Sequence, residues 1–142
     1  MVPKTHVAGW VLAPLNERDK EPLGQRIIET PKDLEQFESR DSHSHFIAYV
    51  PVGSLAKGEV LAKTGGNGKT TQCGLCHGLD LRGLGSIPGI AGRSPSYIVR
   101  QLYDFKSGQR AGPTGKSMGA VVAQLNEDDV ISLAAYAASL AP

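Results

Sequence analysis

A chain of 142 residues has room for one ordinary domain that buries about two-thirds of its unfolded surface, so its core need not depend on cross-links. Fifteen Lys and Arg against fourteen Asp and Glu leave no basic footprint for nucleic acid, and the longest apolar runs fall far short of a membrane span. Residues 1–56 carry six basic and eight acidic side chains and residues 57–142 nine and six, a mild shift that a solvated surface explains as well as a docking face.

The first fifty residues carry the weakest pattern. Residues 6–14 have an apolar centre and a proline stop, which predicts a short extended piece. Residues 16–25 are charged, hold Pro22 and Gly24, and read as loop. Residues 26–29 form a second short extended segment. Thr30-Pro31-Lys32-Asp33 predicts a helix start, with Thr30 as cap, Pro31 at the first position and Asp33 in the first turn. Leu34 and Phe37 then share a face, and the helix is expected to end near Arg40. His43 and His45 flank Ser44; on a strand they would share a face as a metal pair does, but a polar turn with two ordinary histidines is the preferred reading. Residues 46–50 are apolar and predict a buried extended segment, and Pro51 and Gly53 mark a boundary.

Ser54 is the expected cap of a helix through Leu55, Gly58, Leu61 and Ala62, closed by Gly65-Gly66. Residues 64–71 hint at a phosphate loop, but Lys63 occupies the place where its first glycine is required, so the segment reads as a flexible lead-in. It leads to Cys73-Gly74-Leu75-Cys76-His77, which holds the only two cysteines. That spacing is the attachment pattern of c-type haem: two thiols one turn apart can form thioethers to the two vinyl groups, and the next residue aims an imidazole at the iron. Other readings compete. A redox Cys-x-x-Cys follows a strand in a βαβ pattern, and none surrounds Cys73. An iron–sulfur cluster held by thiolates needs more cysteines. Zinc could be held by Cys73 and Cys76 together with His43 and His45. The plainest alternative is two cysteines without a cofactor.

Residues 78–92 are rich in glycine yet regularly apolar, as suits a loop passing close to a flat ligand. Ser94 or Ser96 caps a predicted helix through Tyr97, Val99, Arg100, Leu102, Tyr103 and Phe105, stopped at Ser107-Gly108. Residues 109–119 form a second Gly/Pro loop holding Met118. Asn126 caps a last helix with Glu127, Asp128 and Asp129 in its first turn and an apolar stripe of Val130, Leu133, Ala134, Ala137 and Leu140.

With these residues in place, positions 54–141 resemble a class I c-type cytochrome of the small bacterial monohaem kind. The resemblance rests on Cys-Gly-Leu-Cys-His-Gly, Ile-Pro-Gly-Ile-Ala-Gly-Arg, Tyr-Ile-Val-Arg-Gln-Leu-Tyr-Asp-Phe-Lys-Ser-Gly-Gln-Arg, a lone Met in a loop, Leu-Asn-Glu-Asp-Asp-Val and Ala-Ala-Tyr-Ala-Ala-Ser-Leu. It implies a mainly α fold, with a helical haem domain at residues 54–142. Residues 1–53 would be a largely irregular N-terminal extension with short extended segments and one short helix, packing on or wrapping that domain. It also implies one covalent haem c, with Cys73 and Cys76 as thioether anchors, His77 as proximal ligand and Met118 as distal ligand. Met118 is the only methionine besides Met1. Pro88 would accept the His77 ring N–H through its carbonyl, Arg93 would lie near a propionate, and Gly58 and Tyr136 where the first and last helices cross.

The expected function is single-electron transfer between redox protein partners rather than enzyme catalysis, with Lys69, Arg110 and Lys116 as a candidate docking rim. Two alternatives stay open. One is a haem subunit or domain of a larger dehydrogenase or oxidase, docked through residues 1–53. The other is a five-coordinate haem protein that binds gases or peroxide. A monomer or a complex subunit is expected. Bacteria attach haem c outside the cytoplasm, so a periplasmic location is expected. Met1-Val2-Pro3-Lys4 leads into no apolar export segment, so an export signal or anchor is expected to have been removed.

Overall fold

The computed structural model describes residues 1–142, which divide into two compact units, Met1–Pro51 and Val52–Pro142. The first unit is built from β1 (Val2–Pro3), β2 (Thr5–Ala8), β3 (Val11–Pro14), β4 (Lys20–Glu21), β5 (Ile28–Pro31), α1 (Leu34–Glu38) and β6 (Phe46–Tyr49). Three antiparallel pairs result: β1 with β4, β2 with β3, and β5 with β6. Val2, Ala13, Ile28, Thr30 and Pro31 are its buried residues.

Here the structure differs from the sequence expectations. Residues 6–14 form most of a hairpin rather than one extended piece, because the backbone turns at Gly9-Trp10 with Ala8 opposite Val11. Thr30 and Pro31 belong to β5, where Thr30 is buried and cannot cap a helix. The cap is Asp33, whose Oδ1 accepts from the Gln36 N–H at 3.0 Å. Strand β6 is extended as expected but not buried: Phe46 and Ile47 keep 46% and 41% of their surface in solvent. Phe46 instead meets Phe37 edge-on, with ring centroids 5.5 Å apart.

The second unit runs α2 (Ser54–Thr64), α3 (Gly74–His77), β7 (Gly83–Leu84), β8 (Ile87–Pro88), α4 (Pro95–Ser107), α5 (Gly115–Val122) and α6 (Glu127–Ser139). Its core joins Leu61 and Ala62 of α2 to Val122 of α5, Leu125, and Val130 and Leu133 of α6. Helices α2 and α6 cross at Gly58, where an added Cβ would stand 2.0 Å from the Ser132 carbonyl oxygen and 2.7 Å from the Tyr136 Cβ. Glycine is what permits that approach. Ser94 caps α4 through the Tyr97 N–H, and Asn126 and Asp129 form a reciprocal capping box on α6, both as the local sequence signals require. The cap of α2 is Gly53 in the left-handed region; Ser54 is instead the first helical residue and is buried.

Asp129 also anchors an ion-pair cluster. Its Oδ1 accepts from Lys57 Nζ at 2.8 Å and its Oδ2 pairs with Lys69 Nζ, while the carboxylate itself is buried. Residues 64–71, expected to be flexible, are therefore held: Lys69 by Asp129, the Thr70 N–H by the Gly65 carbonyl, and the Thr70 hydroxyl by the Val121 carbonyl. No helix is long and apolar enough to cross a membrane.

Candidate haem site

The Cys-x-x-Cys-His segment is a single helical turn. Cys73 stands at its N-cap, and its carbonyl accepts from the Cys76 N–H at 3.3 Å and the His77 N–H at 2.9 Å. Positions i, i+3 and i+4 of one turn share a face, which puts two thiols and an imidazole on the same side. The Cys73 N–H bonds the Ala62 carbonyl at 2.9 Å, tying the turn to α2. The two cysteines form no disulfide. Burial pushes the Cys73 thiol above its ordinary pKa, the reverse of the lowered value that activates the attacking thiol of a redox Cys-x-x-Cys.

His77 is aimed by the loop that follows. Strands β7 and β8 form a two-strand clip with Gly83 opposite Pro88. The clip closes because a Cβ on Gly89 would lie 2.4 Å from the Arg82 carbonyl oxygen, an approach only glycine allows. Closure brings the Pro88 carbonyl to 2.7 Å from His77 Nδ1. A carbonyl can only accept, so Nδ1 carries the proton, and Nε2 of the neutral ring keeps its lone pair for a metal.

Cys73, Cys76 and His77 line one cleft together with Met118 of α5. Ala62, Leu81, Ile90, Ile98, Leu102, Val121, Val122, Leu125, Leu133 and Ala137 supply most of the remaining wall, and Thr70, Thr71, Gln72 and Tyr136 add polar groups. Apolar walls, two thiols one turn apart, one oriented imidazole and one thioether fit a haem with His and Met ligands. Met118 lies on a helix rather than in the expected loop. The apolar residues Met118, Val121 and Val122 face the cleft at helical spacing, and packing against α4 outweighs the glycines on either side of Met118.

Pro88 meets the His77 ring through its carbonyl, as expected. The other predicted residues fall elsewhere. Arg93 is exposed, donates from Nε to the Gly89 carbonyl at 2.7 Å and does not line the cleft. Lys69, one of the expected rim cations, is engaged by Asp129. Arg110 lies over the Phe105 ring, 4.7 Å from its centroid, and bonds Gln101. His43 sits in a turn with its Nδ1 3.1 Å from Asp41 Oδ1, and no three His, Cys, Asp or Glu side chains converge as a metal site. Leu81, buried in the cleft wall at a φ of +59°, belongs to the apolar loop expected to pass close to a flat ligand. Sequence reasoning missed Thr70, which no local signal distinguishes from an ordinary loop residue.

The chain matches no family model. It is 37% identical over 84 residues to cytochrome c-554(547) of Halothiobacillus neapolitanus, an alignment covering 51% of this chain and 92% of that protein. The chain belongs to the class I c-type cytochromes. This cytochrome is also 35% identical over 75 residues to cytochrome c4 of Pseudomonas aeruginosa, covering 52% of the chain but only 36% of that longer protein. It is 33% identical over 94 residues to a protein of Chlorobaculum tepidum named cytochrome subunit of sulfide dehydrogenase, covering 65% of the chain and 83% of that protein. Among solved structures, reduced cytochrome c4 from Pseudomonas stutzeri superposes with a TM-score of 0.59 at 28% identity, over 66% of this chain and 51% of that one. The cytochrome thus spans about a third to a half of the c4 proteins it matches. Its cofactor is covalent haem c, and its mainly helical architecture with short strands is that of the family's fold.

Proposed function

We propose that this cytochrome carries single electrons between redox proteins. Cys73 and Cys76 would anchor one haem c, His77 and Met118 would be its axial ligands, and residues 54–142 would be the haem domain with residues 1–53 as an extension. A bound haem supplies the one-electron couple. The observation that carries the reading is the meeting, in one apolar cleft, of both thiols, Met118 and an imidazole whose Nδ1–H is committed to Pro88. That hydrogen bond makes His77 a stronger donor and locks its ring. The Met118 thioether is a soft ligand that favours the reduced metal, and the apolar walls disfavour added charge, so both raise the potential. With Met118 in place, small molecules have no open position to take. The protein would work in the periplasm.

The test is an absorption spectrum of the oxidised and reduced protein with and without carbon monoxide. A low-spin c-type spectrum that carbon monoxide leaves unmoved is expected. A shift would mean that Met118 does not hold its position and would favour gas or peroxide chemistry. One observation supports a subunit role as a second reading. Residues 1–51 form a compact unit of their own, beyond what a minimal carrier needs. Elution of the native protein with a flavin- or metal-containing dehydrogenase would establish that role, and a monomer would not.

A further inference from the structure

Helix α5 has little of its own to hold it in place. It is eight residues long, carries glycines at 115 and 119, and has no side-chain cap at its N-terminus, so in isolation it would not form. Its C-terminal carbonyls also lack the partners a continuing helix would offer. The Leu125 N–H, which an unbroken helix would direct at Val121, bonds the Val122 carbonyl instead at 3.1 Å. The Val121 carbonyl takes its proton from the Thr70 hydroxyl at 2.8 Å, across 51 residues of sequence. Thr70 lies three residues before Cys73, and Val121 lies three after Met118. Thr70 is itself held, with its N–H on the Gly65 carbonyl at 3.0 Å and its neighbour Lys69 on buried Asp129. One hydrogen bond therefore joins the segment that anchors the thiols to the helix that carries the thioether.

We infer that Thr70 is a positioning residue for Met118: by holding the Val121 carbonyl it sets the rotation and axial position of α5, and so the hold of Met118 on the metal. The inference rests on the proposed ligand role of Met118. Losing the bond leaves a part-buried carbonyl without a donor and frees α5 to shift, which lets an external ligand displace the thioether.

The test uses the full-length ferric holoprotein titrated with imidazole, with the far-red sulfur-to-iron charge-transfer band followed in parallel. Thr70→Val keeps the shape and removes the hydroxyl. It is expected to bind imidazole about tenfold more tightly and to weaken the band. Thr70→Ser, which keeps the hydroxyl, is expected to behave as the unsubstituted protein does. Unchanged affinity in Thr70→Val overturns the inference, and so does equal weakening in Thr70→Ser, which would point to methyl packing. Met118→Ala separates the two readings. If it binds imidazole no more tightly than the unsubstituted protein, the ligand assignment itself fails, and the role of Thr70 falls with it. Proton NMR of the unsubstituted reduced protein gives an independent reading should Thr70→Val not mature. A slowly exchanging Thr70 hydroxyl close to α5 supports the inference, and one averaging with water overturns it.

Discussion

Asp129 shows how one side chain can be costly to bury and still stabilising. Burial alone would raise its pKa, but hydrogen bonds from Lys57, Lys69 and the Asn126 N–H reverse the effect and hold the carboxyl at about 2 against an ordinary 3.8. The shift corresponds to about 2 kcal/mol of stability. Since the folded pKa is the lower one, that contribution is complete above the ordinary value, declines as pH falls from 3.8 towards 2, and is absent below. Asp129→Asn should therefore lose about 2 kcal/mol in denaturant unfolding at pH 7 and little at pH 2. An equal deficit at both pH values would mean that packing, not charge, explains the residue. This carboxylate was legible in the sequence only as a first-turn acid of the last helix. Its cations come from positions 57 and 69, and no local pattern announces a partner that distant.

At the scale of elements, what the sequence revealed follows how local the physics is. The Cys-x-x-Cys-His turn, the Ser94 and Asn126 caps and the stop at Gly108 depend on residues within one or two turns, and the structure has them where the spacing put them. The helix of Met118 and the hairpin of residues 5–14 depend on what packs against them, so glycine and proline content misled in the first case and an unrecognised turn in the second. The α2–α6 crossing is decided by one position of this kind. Gly58→Ala gains about 1 kcal/mol of helix propensity. Against that, its Cβ would stand 2.0 Å from the Ser132 carbonyl oxygen, and overpacking of backbone against backbone costs about 3 kcal/mol or more. The clash wins, and the holoprotein should melt roughly 10 °C lower by circular dichroism. A change within about 2 °C would mean the helices are not in contact there.

On the scale of the whole molecule, the question is which part of the chain the haem needs. Every side chain of the cleft lies between Ala62 and Ala137, and the core that supports it runs from Leu61 to Leu133, all within the second unit. The first unit has buried residues of its own. Relatives such as cytochrome c-554(547) are nearly exhausted by an alignment that uses about half of this chain. A domain of that size is small, but the haem adds a large apolar surface for α4, α5 and α6 to close upon. Residues 52–142, expressed in a host able to attach haem c, should therefore mature to a holoprotein with the full-length chain's absorption spectrum, unmoved by carbon monoxide. If that fragment fails to take up haem, or takes it up with a site open to carbon monoxide, residues 1–51 support the site. The extension would then be part of the electron carrier and not a separate module for meeting a partner.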